Sequence, residues 1–266
     1  MSVLSRAYTS IQARFIIPYQ QTHFDRTGFG KQLASYKNQY VGRRCFFIGN
    51  GPSLRAEDLT KLQENGEVTF AFNRIYNIFD QTKWRPTFYI SQDEKMLSGC
   101  IKEVCDLQAK EKFIPIQLKW WNGIEIPRAI YFNMRPQNVD DPDRFAFSDD
   151  CAREIFNAAT CMYTAAQLAA YMGFSEIYLI GVDHHFQISQ NNQGEIIVDN
   201  SVKDYFTDKY NEDKDKLYIP NTERSTMTYE AMKRHCDARS VRVFNATRGG
   251  KLEVFPRVTF DTLFSK

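Results

Sequence analysis

From Arg44 onward, short apolar runs alternate with stretches of helical spacing. Cys45 to Ile48 predicts a buried strand, Ala56 to Gln63 a helix stopped near Gly66, and Val68 to Phe72 a second strand. Thr87 to Ile90 predicts a third. Leu97, Ile101, Val104 and Leu107 recur at helical spacing and predict one helix over Glu94 to Lys112, after which Phe113 to Leu118 and Ile126 to Phe132 read as extended. Ile155, Ala158, Met162, Ala165, Leu168 and Met172 mark a helix with small residues on its packing face, closed by Gly173 as a left-handed cap. The continuous apolar run Ile177 to Val182 fits a central strand covered on both faces. A helix from about Arg224 to Cys236, a strand from Val241 to Phe244, and a tail ending in Phe260, Leu263 and Phe264 complete the pattern.

Strand and helix alternate throughout, so the expected architecture is a single α/β domain over residues 44–266, with a mostly parallel sheet and helices on both faces. In such a sheet the binding crevice lies at the carboxyl ends of strands. Those ends carry Gly49-Asn50-Gly51-Pro52-Ser53, Asn73-Arg74, Ser91-Gln92-Asp93 and Gly181-Val182-Asp183-His184-His185. The polar stretch at about 187–221 is long for a connection and carries Tyr205, Phe206, Tyr210 and Tyr218, which predicts an active-site lid. Before Arg44, Leu4, Tyr8, Ile11 and Phe15 form a helical stripe that Pro18 is expected to end.

Composition changes this picture in two places. Aromatic residues make up 14% of the 266-residue chain, with 21 Phe and 14 Tyr, more than a core normally needs; ring stacking on sugars or bases is one use, and interfacial anchoring another. The formal net charge is only +2, which argues against a nucleic-acid partner. Its distribution is uneven: Arg6, Arg14, Arg26, Lys31, Lys37, Arg43 and Arg44 face the single acid Asp25 at the front of the chain. Residues 1–43 therefore read as a basic, aromatic helical arm, packed on the domain or a second copy, or lying on anionic lipid. No run is long enough for a transmembrane helix and no secretory signal is evident, so a cytoplasmic location, at most at the inner face of the membrane, is expected. The six cysteines form no CxxC pair, which disfavours a zinc site or a disulfide framework.

The strand-end residues suggest chemistry. Glycines in Gly49-Asn50-Gly51-Pro52-Ser53 would let backbone N–H groups approach a phosphate, with Asn50 and Ser53 as further donors; an ordinary strand-to-helix turn is the plainer reading. Asn73 suits a turn or a neutral contact to ribose, sugar or phosphate. Asp93 reads as a helix N-cap, a substrate contact, or a Mg²⁺ ligand. Asp183-His184-His185 places two of the four histidines at one strand end, and imidazole is suited to proton transfer near neutral pH. Alternation along an extended chain predicts that one of the two faces the crevice. Asn245-Ala246-Thr247-Arg248-Gly249-Gly250 offers Arg248 as an anion clamp or a solvated turn residue.

Four blocks, Phe46 to Leu54, Phe70 to Tyr76, Ile177 to His184 and Asn245 to Phe255, together resemble the 6-hydroxymethylpterin diphosphokinase MptE-like family. They are also similar to bacterial CMP-sialic acid-dependent sialyltransferases and to motility-associated flagellin glycosyltransferases. The resemblance implies a Rossmann-like, GT-A-like fold in which Asn50, Gly51, Ser53, Asn73, Thr160, Gly181 and Asp183 bind the nucleotide. Thr160-Cys161-Met162 stands where those sialyltransferases have Thr-Ser-Gly. Their lid histidine is missing from Tyr218-Ile219-Pro220-Asn221-Thr222, so His185 or His184 is the expected base, and Tyr205, Tyr210 or Tyr218 the expected partner of the departing phosphate.

Two activities follow. The first is transfer of a sugar from a nucleotide donor, CMP-linked by the resemblance, to a cell-surface glycan or lipid-linked acceptor, with no cofactor. The second is pterin pyrophosphorylation with ATP and Mg²⁺, in which Asp93 and Asp183 would be metal ligands. A catalytically silent nucleotide-binding module is a third reading, and a homo-oligomer is compatible with all three.

Overall fold

The computed structural model describes residues 12–207 and 218–264. Among these residues seven strands form one parallel sheet: β1 (Arg44–Ile48), β2 (Val68–Phe72), β3 (Phe88–Ile90), β4 (Glu111–Pro115), β5 (Ala129–Phe132), β6 (Glu176–Ile180) and β7 (Arg242–Asn245). Their spatial order is β7-β6-β1-β2-β3-β4-β5. The chain walks outward from β1 to β5, then returns to lay β6 against the other side of β1. The order thus reverses at β1, and the crevice of a doubly wound sheet opens at such a switch point.

Alternate side chains of each strand enter opposite cores. Cys45, Phe47, Phe70, Phe72, Phe88, Ile177 and Leu179 join one cluster, whereas Phe46, Ile48, Ala71, Tyr89, Tyr178 and Ile180 join the other. Period-two alternation with both faces apolar is what a sheet covered on both sides requires. The first face is covered by α2 (Cys161–Met172) and α3 (Thr222–Asp237), the second by α1 (Ala56–Glu64) and the helix Glu94–Gly99. The domain is therefore Rossmann-like.

Part of the aromatic excess is structural. Phe47, Phe70, Phe88 and Phe113 form a row across four neighbouring strands, with successive ring centroids 5.2, 4.7 and 5.7 Å apart. All four are fully buried.

Several element boundaries differ from the expectation, each for a local reason. The single helix expected over 94–112 is two, Glu94–Gly99 and Ile101–Asp106, broken at Cys100, which leaves the helical region (φ −140°, ψ 32°). β4 then begins at Glu111 because Lys112 is drawn inward: its Nζ donates to the carbonyls of Val104 and Cys105, completing the end of the preceding helix. Ile116–Asn122 is helical rather than a continuation of the strand. α2 starts at Cys161, because Thr160 caps it by accepting from Met162 N, and Ile155–Phe156 pairs with Met134–Arg135 in a separate short sheet. Gly173 closes α2 in the left-handed region, φ +89°. Pro18 does not end the N-terminal pattern; it lies in the first turn of the helix Ile17–Thr22, where its missing N–H is not needed. Leu4, Tyr8 and Ile11 lie outside the described residues.

The stretch 24–43 is packed into the body rather than apart from it. Phe24 and Leu33 are fully buried, and Tyr40 stacks on Phe174 with centroids 4.7 Å apart. No helix among the described residues is long and apolar enough to cross a membrane.

Candidate active site

At the switch point the loop after β1 lies directly on the loop after β6. Gly49 N donates to Ile180 O at 2.8 Å and Gly51 N to Gly181 O at 2.9 Å. Ser53 Oγ and N both donate to Asp183 Oδ2, at 2.7 and 3.3 Å. A Cβ on Gly49 would stand 2.3 Å from Gly181 O, and one on Gly51 would stand 2.0 Å from Asp183 Oδ2. The glycines are there for backbone approach between two loops. This corrects the phosphate-cradle expectation: the amides of Gly49 and Gly51 are spent on the neighbouring strand end, and the Ser53 hydroxyl is spent on Asp183. Burial pushes the Asp183 carboxyl above its usual range, opposed by the two Ser53 donors.

A cleft of about 580 Å³ opens beside these loops. Two helix N-termini point into it, since Thr160, Cys161 and Met162 of α2 and Asn221, Arg224 and Ser225 of α3 all line it. Met162 N and Arg224 N are already capped by Thr160 Oγ1 and Asn221 Oδ1, so what the two helix ends offer an anion is the positive end of their dipoles. Buried polar atoms at the cleft lack a protein partner. Asn50 Nδ2 donates to Phe72 O at 3.1 Å, which fixes the amide and leaves Oδ1 a buried acceptor without a donor. Asn157 Oδ1 is a second such acceptor. Arg224 Nε is a buried donor without an acceptor, although its Nη2 reaches Asp140 Oδ1 at 2.7 Å. Such atoms are costly to bury unless something satisfies them.

Both histidines border the cleft. The expectation that only one would do so fails because His184 is left-handed (φ +55°), which breaks the alternation of an extended chain. His184 Nε2 lies 2.7 Å from Thr226 Oγ1, whose own hydroxyl donates to Thr222 O, and burial holds the imidazole below its usual pKa. His185 Nε2 lies 3.0 Å from Asp199 Oδ2. Tyr205 also lines the cleft, with burial pushing its hydroxyl pKa up so that it stays a neutral donor. The neighbouring Phe206 N donates to Asn50 O, tying the stretch after β6 to the β1 loop.

A family model described as 6-hydroxymethylpterin diphosphokinase MptE-like matches residues 22–189. The chain belongs to this MptE-like family. No curated protein sequence matches it. Among solved structures, the MAf glycosyltransferase from Magnetospirillum magneticum AMB-1 is similar over 90% of this chain, at 17% identity and a TM-score of 0.50. This chain spans 39% of the length of that structure. The likeness is one of fold. The MptE-like match takes in β1 to β6 and both facing loops, and it ends before most of the stretch 187–221 and before α3.

The cleft gathers Asn50, Gly51, Asn73, Asp93, Thr160, Gly181, Asp183, His184 and His185 from the MptE-like match, with Tyr205 and Tyr218 from beyond it, all of the expected set. Asn73 is left-handed (φ +53°), and its carbonyl accepts from Tyr89 OH at 2.8 Å. Ser53 does not line the cleft. Arg248 turns away from it and pairs with Asp58 and Asp261, pinning the C-terminal turn Phe260–Phe264 against α1. Tyr210 lies outside the described residues.

The carboxylates suited to Mg²⁺ do not form a good cradle. Asp93 caps its helix by accepting from Met96 N at 3.0 Å, Asp183 holds Ser53, and burial pushes both toward the neutral acid. Among the described residues no group of three or more His, Cys, Asp or Glu side chains is arranged so that it could hold a metal ion. Sequence reasoning missed Asn157, Arg224 and Asp199. Only Arg224 carried a signal, standing three residues after the helix-capping Asn221.

Proposed function

We propose that this protein is a transferase that moves a sugar from a nucleotide-sugar donor, CMP-linked in the reading taken from the family resemblance, to an acceptor hydroxyl. The observation that carries the proposal is the set of unmatched polar groups in one cleft. Asn50 Oδ1 and Asn157 Oδ1 call for ligand donors such as hydroxyl or amino groups, Arg224 Nε calls for an acceptor, and the dipoles of the two helix N-termini favour an anion. A nucleotide sugar presents both kinds of group, and the cleft volume suits a ligand of that size. The fold shared with the MAf glycosyltransferase is compatible with it.

In the proposed reaction His185 accepts the proton of the acceptor hydroxyl. The oxygen electron pair forms the new glycosidic bond, and the bond from anomeric carbon to phosphate oxygen breaks with its electrons leaving on the nucleotide. The α2 N-terminus and the Tyr205 hydroxyl stabilise that phosphate. Phe15 and Tyr19, both exposed and close in sequence to Arg14, support delivery of a lipid-linked or surface-glycan acceptor at the inner face of a membrane.

Thermal unfolding with a nucleotide panel tests the reading. CMP or CDP in the presence of a chelator should raise the melting temperature, corresponding to about 2.7 kcal/mol at a hundredfold excess over Kd. Stabilisation by ATP and Mg²⁺, with no response to cytidine nucleotides, would overturn it in favour of pyrophosphoryl transfer.

A further inference from the structure

The lid stretch is not featureless. Ile188–Gln190 and Ile196–Val198 form an antiparallel hairpin, and its turn is held by the Asn191 side chain, which accepts from Gln193 N and Glu195 N. Directly after the second strand, Asp199 N donates to Gln187 O at 2.8 Å and extends the ladder. The hairpin thereby folds Asp199 back over the strand end from which its own first strand departs. Asp199 Oδ2 comes to 3.0 Å from His185 Nε2, while its Oδ1 accepts from Ser201 Oγ at 2.5 Å and from Ser201 N at 2.9 Å. Those Ser201 bonds hold Asp199 below the usual carboxylate range, so it stays ionised and acts only as an acceptor.

We propose that Asp199 is the positioning residue of the proton-transfer step: it fixes His185 with hydrogen on Nε2 and so makes Nδ1 the basic atom. The chemistry is forced by the pairing. An ionised carboxylate has no hydrogen to give, so the shared hydrogen belongs to Nε2, and a neutral imidazole then has its lone pair on Nδ1. The proton taken from the acceptor hydroxyl goes to Nδ1, and Asp199 stabilises the imidazolium that results. Because Asp199 belongs to the lid hairpin and His185 to the β6 strand end, the base is assembled only when the hairpin is docked. A second carboxylate, Asp183, also acts on His185 electrostatically, but it is held by Ser53 and is not hydrogen-bonded to the ring.

This inference rests on the transferase reading for its role in turnover, and the test separates the two. Long-range proton–nitrogen NMR spectra of the ¹⁵N-labelled full chain, with its four histidines, report the tautomer of each ring without any substrate. At pH 8 His185 should show an unprotonated Nδ1 and a protonated Nε2. In Asp199→Ala, and in Asp199→Asn, whose amide can donate as well as accept, a substantial fraction should move to the opposite tautomer. A wild-type ring protonated on Nδ1, or a tautomer unchanged in both variants, would overturn the assignment. Release of CMP from a CMP-sugar should fall at least about tenfold in kcat in both variants, with KM and the CMP thermal shift little changed. Loss confined to KM would also overturn it. Failure of CMP to bind wild-type protein would instead count against the transferase reading and leave the tautomer result standing.

Discussion

Ser53 and Asp183 are 130 residues apart in the chain and meet at 2.7 Å, and that contact decides what the glycine-rich loop does. Two donors from one serine are the main opposition to the desolvation of this buried carboxylate. Ser53→Ala should therefore lower unfolding stability by about 1–3 kcal/mol in a denaturant titration, with only a modest loss of nucleotide binding. A phosphate-binding Ser53 would give the reverse, weak binding at unchanged stability. The sequence placed Asn50, Gly51 and Asp183 at strand ends, and the strand order brought those ends together. Whether Ser53 points at a ligand or at Asp183 was not legible, because Asp183 enters from a separate strand. Arg248 shows the same limit: its anion partners turned out to be Asp58 and Asp261 of this chain.

At the level of elements, the sheet was readable wherever apolar runs were short and continuous. Val68–Phe72 coincides with its prediction, and β1, β3, β6 and β7 shift by a residue or two. Failures cluster where one side chain outweighs periodicity. Lys112 looks like the polar end of a helix in sequence, yet it is buried inside β4 with its amino group on helix carbonyls. The row Phe47, Phe70, Phe88 and Phe113 ties four strands together on the face beneath α2. Phe70 sits between two of its members. Phe70→Ala should cost about 3–5 kcal/mol, read as a lower denaturant midpoint, because the surrounding rings cannot close the cavity.

On the scale of the whole molecule, the folded state carries histidines that burial keeps neutral. Burial lowers the pKa of His184 and of His235, each from 6.5; His235 Nε2 also lies 2.7 Å from the Phe145 carbonyl and must donate to it. As pH falls below 6.5 the unfolded chain takes up protons that the folded chain refuses, so stability is lost through the window down to the folded pKa values. Asp93 and Asp183 act with the opposite sign, since their raised pKa values make stability fall as pH rises above 3.8. Comparison with the double variant His184→Asn, His235→Gln cancels those carboxylates. Chemical denaturation at pH 7.5 and 5 should show wild type losing more stability on acidification than the variant; equal losses would contradict the neutral-histidine account. Asparagine suits position 184 because it tolerates the left-handed backbone there. The sequence by itself determined the alternating strands, a sheet covered on both faces, and a polar crevice at the carboxyl ends. These follow from hydrophobic periodicity, which is local. Only the tertiary structure decided that the glycine amides serve the neighbouring loop, that Asn157 and Arg224 enter the cleft, and that a hairpin brings Asp199 to His185. A hydrogen bond is assigned by which groups are left facing each other after the strands are ordered, and residue spacing along the chain carries no record of that.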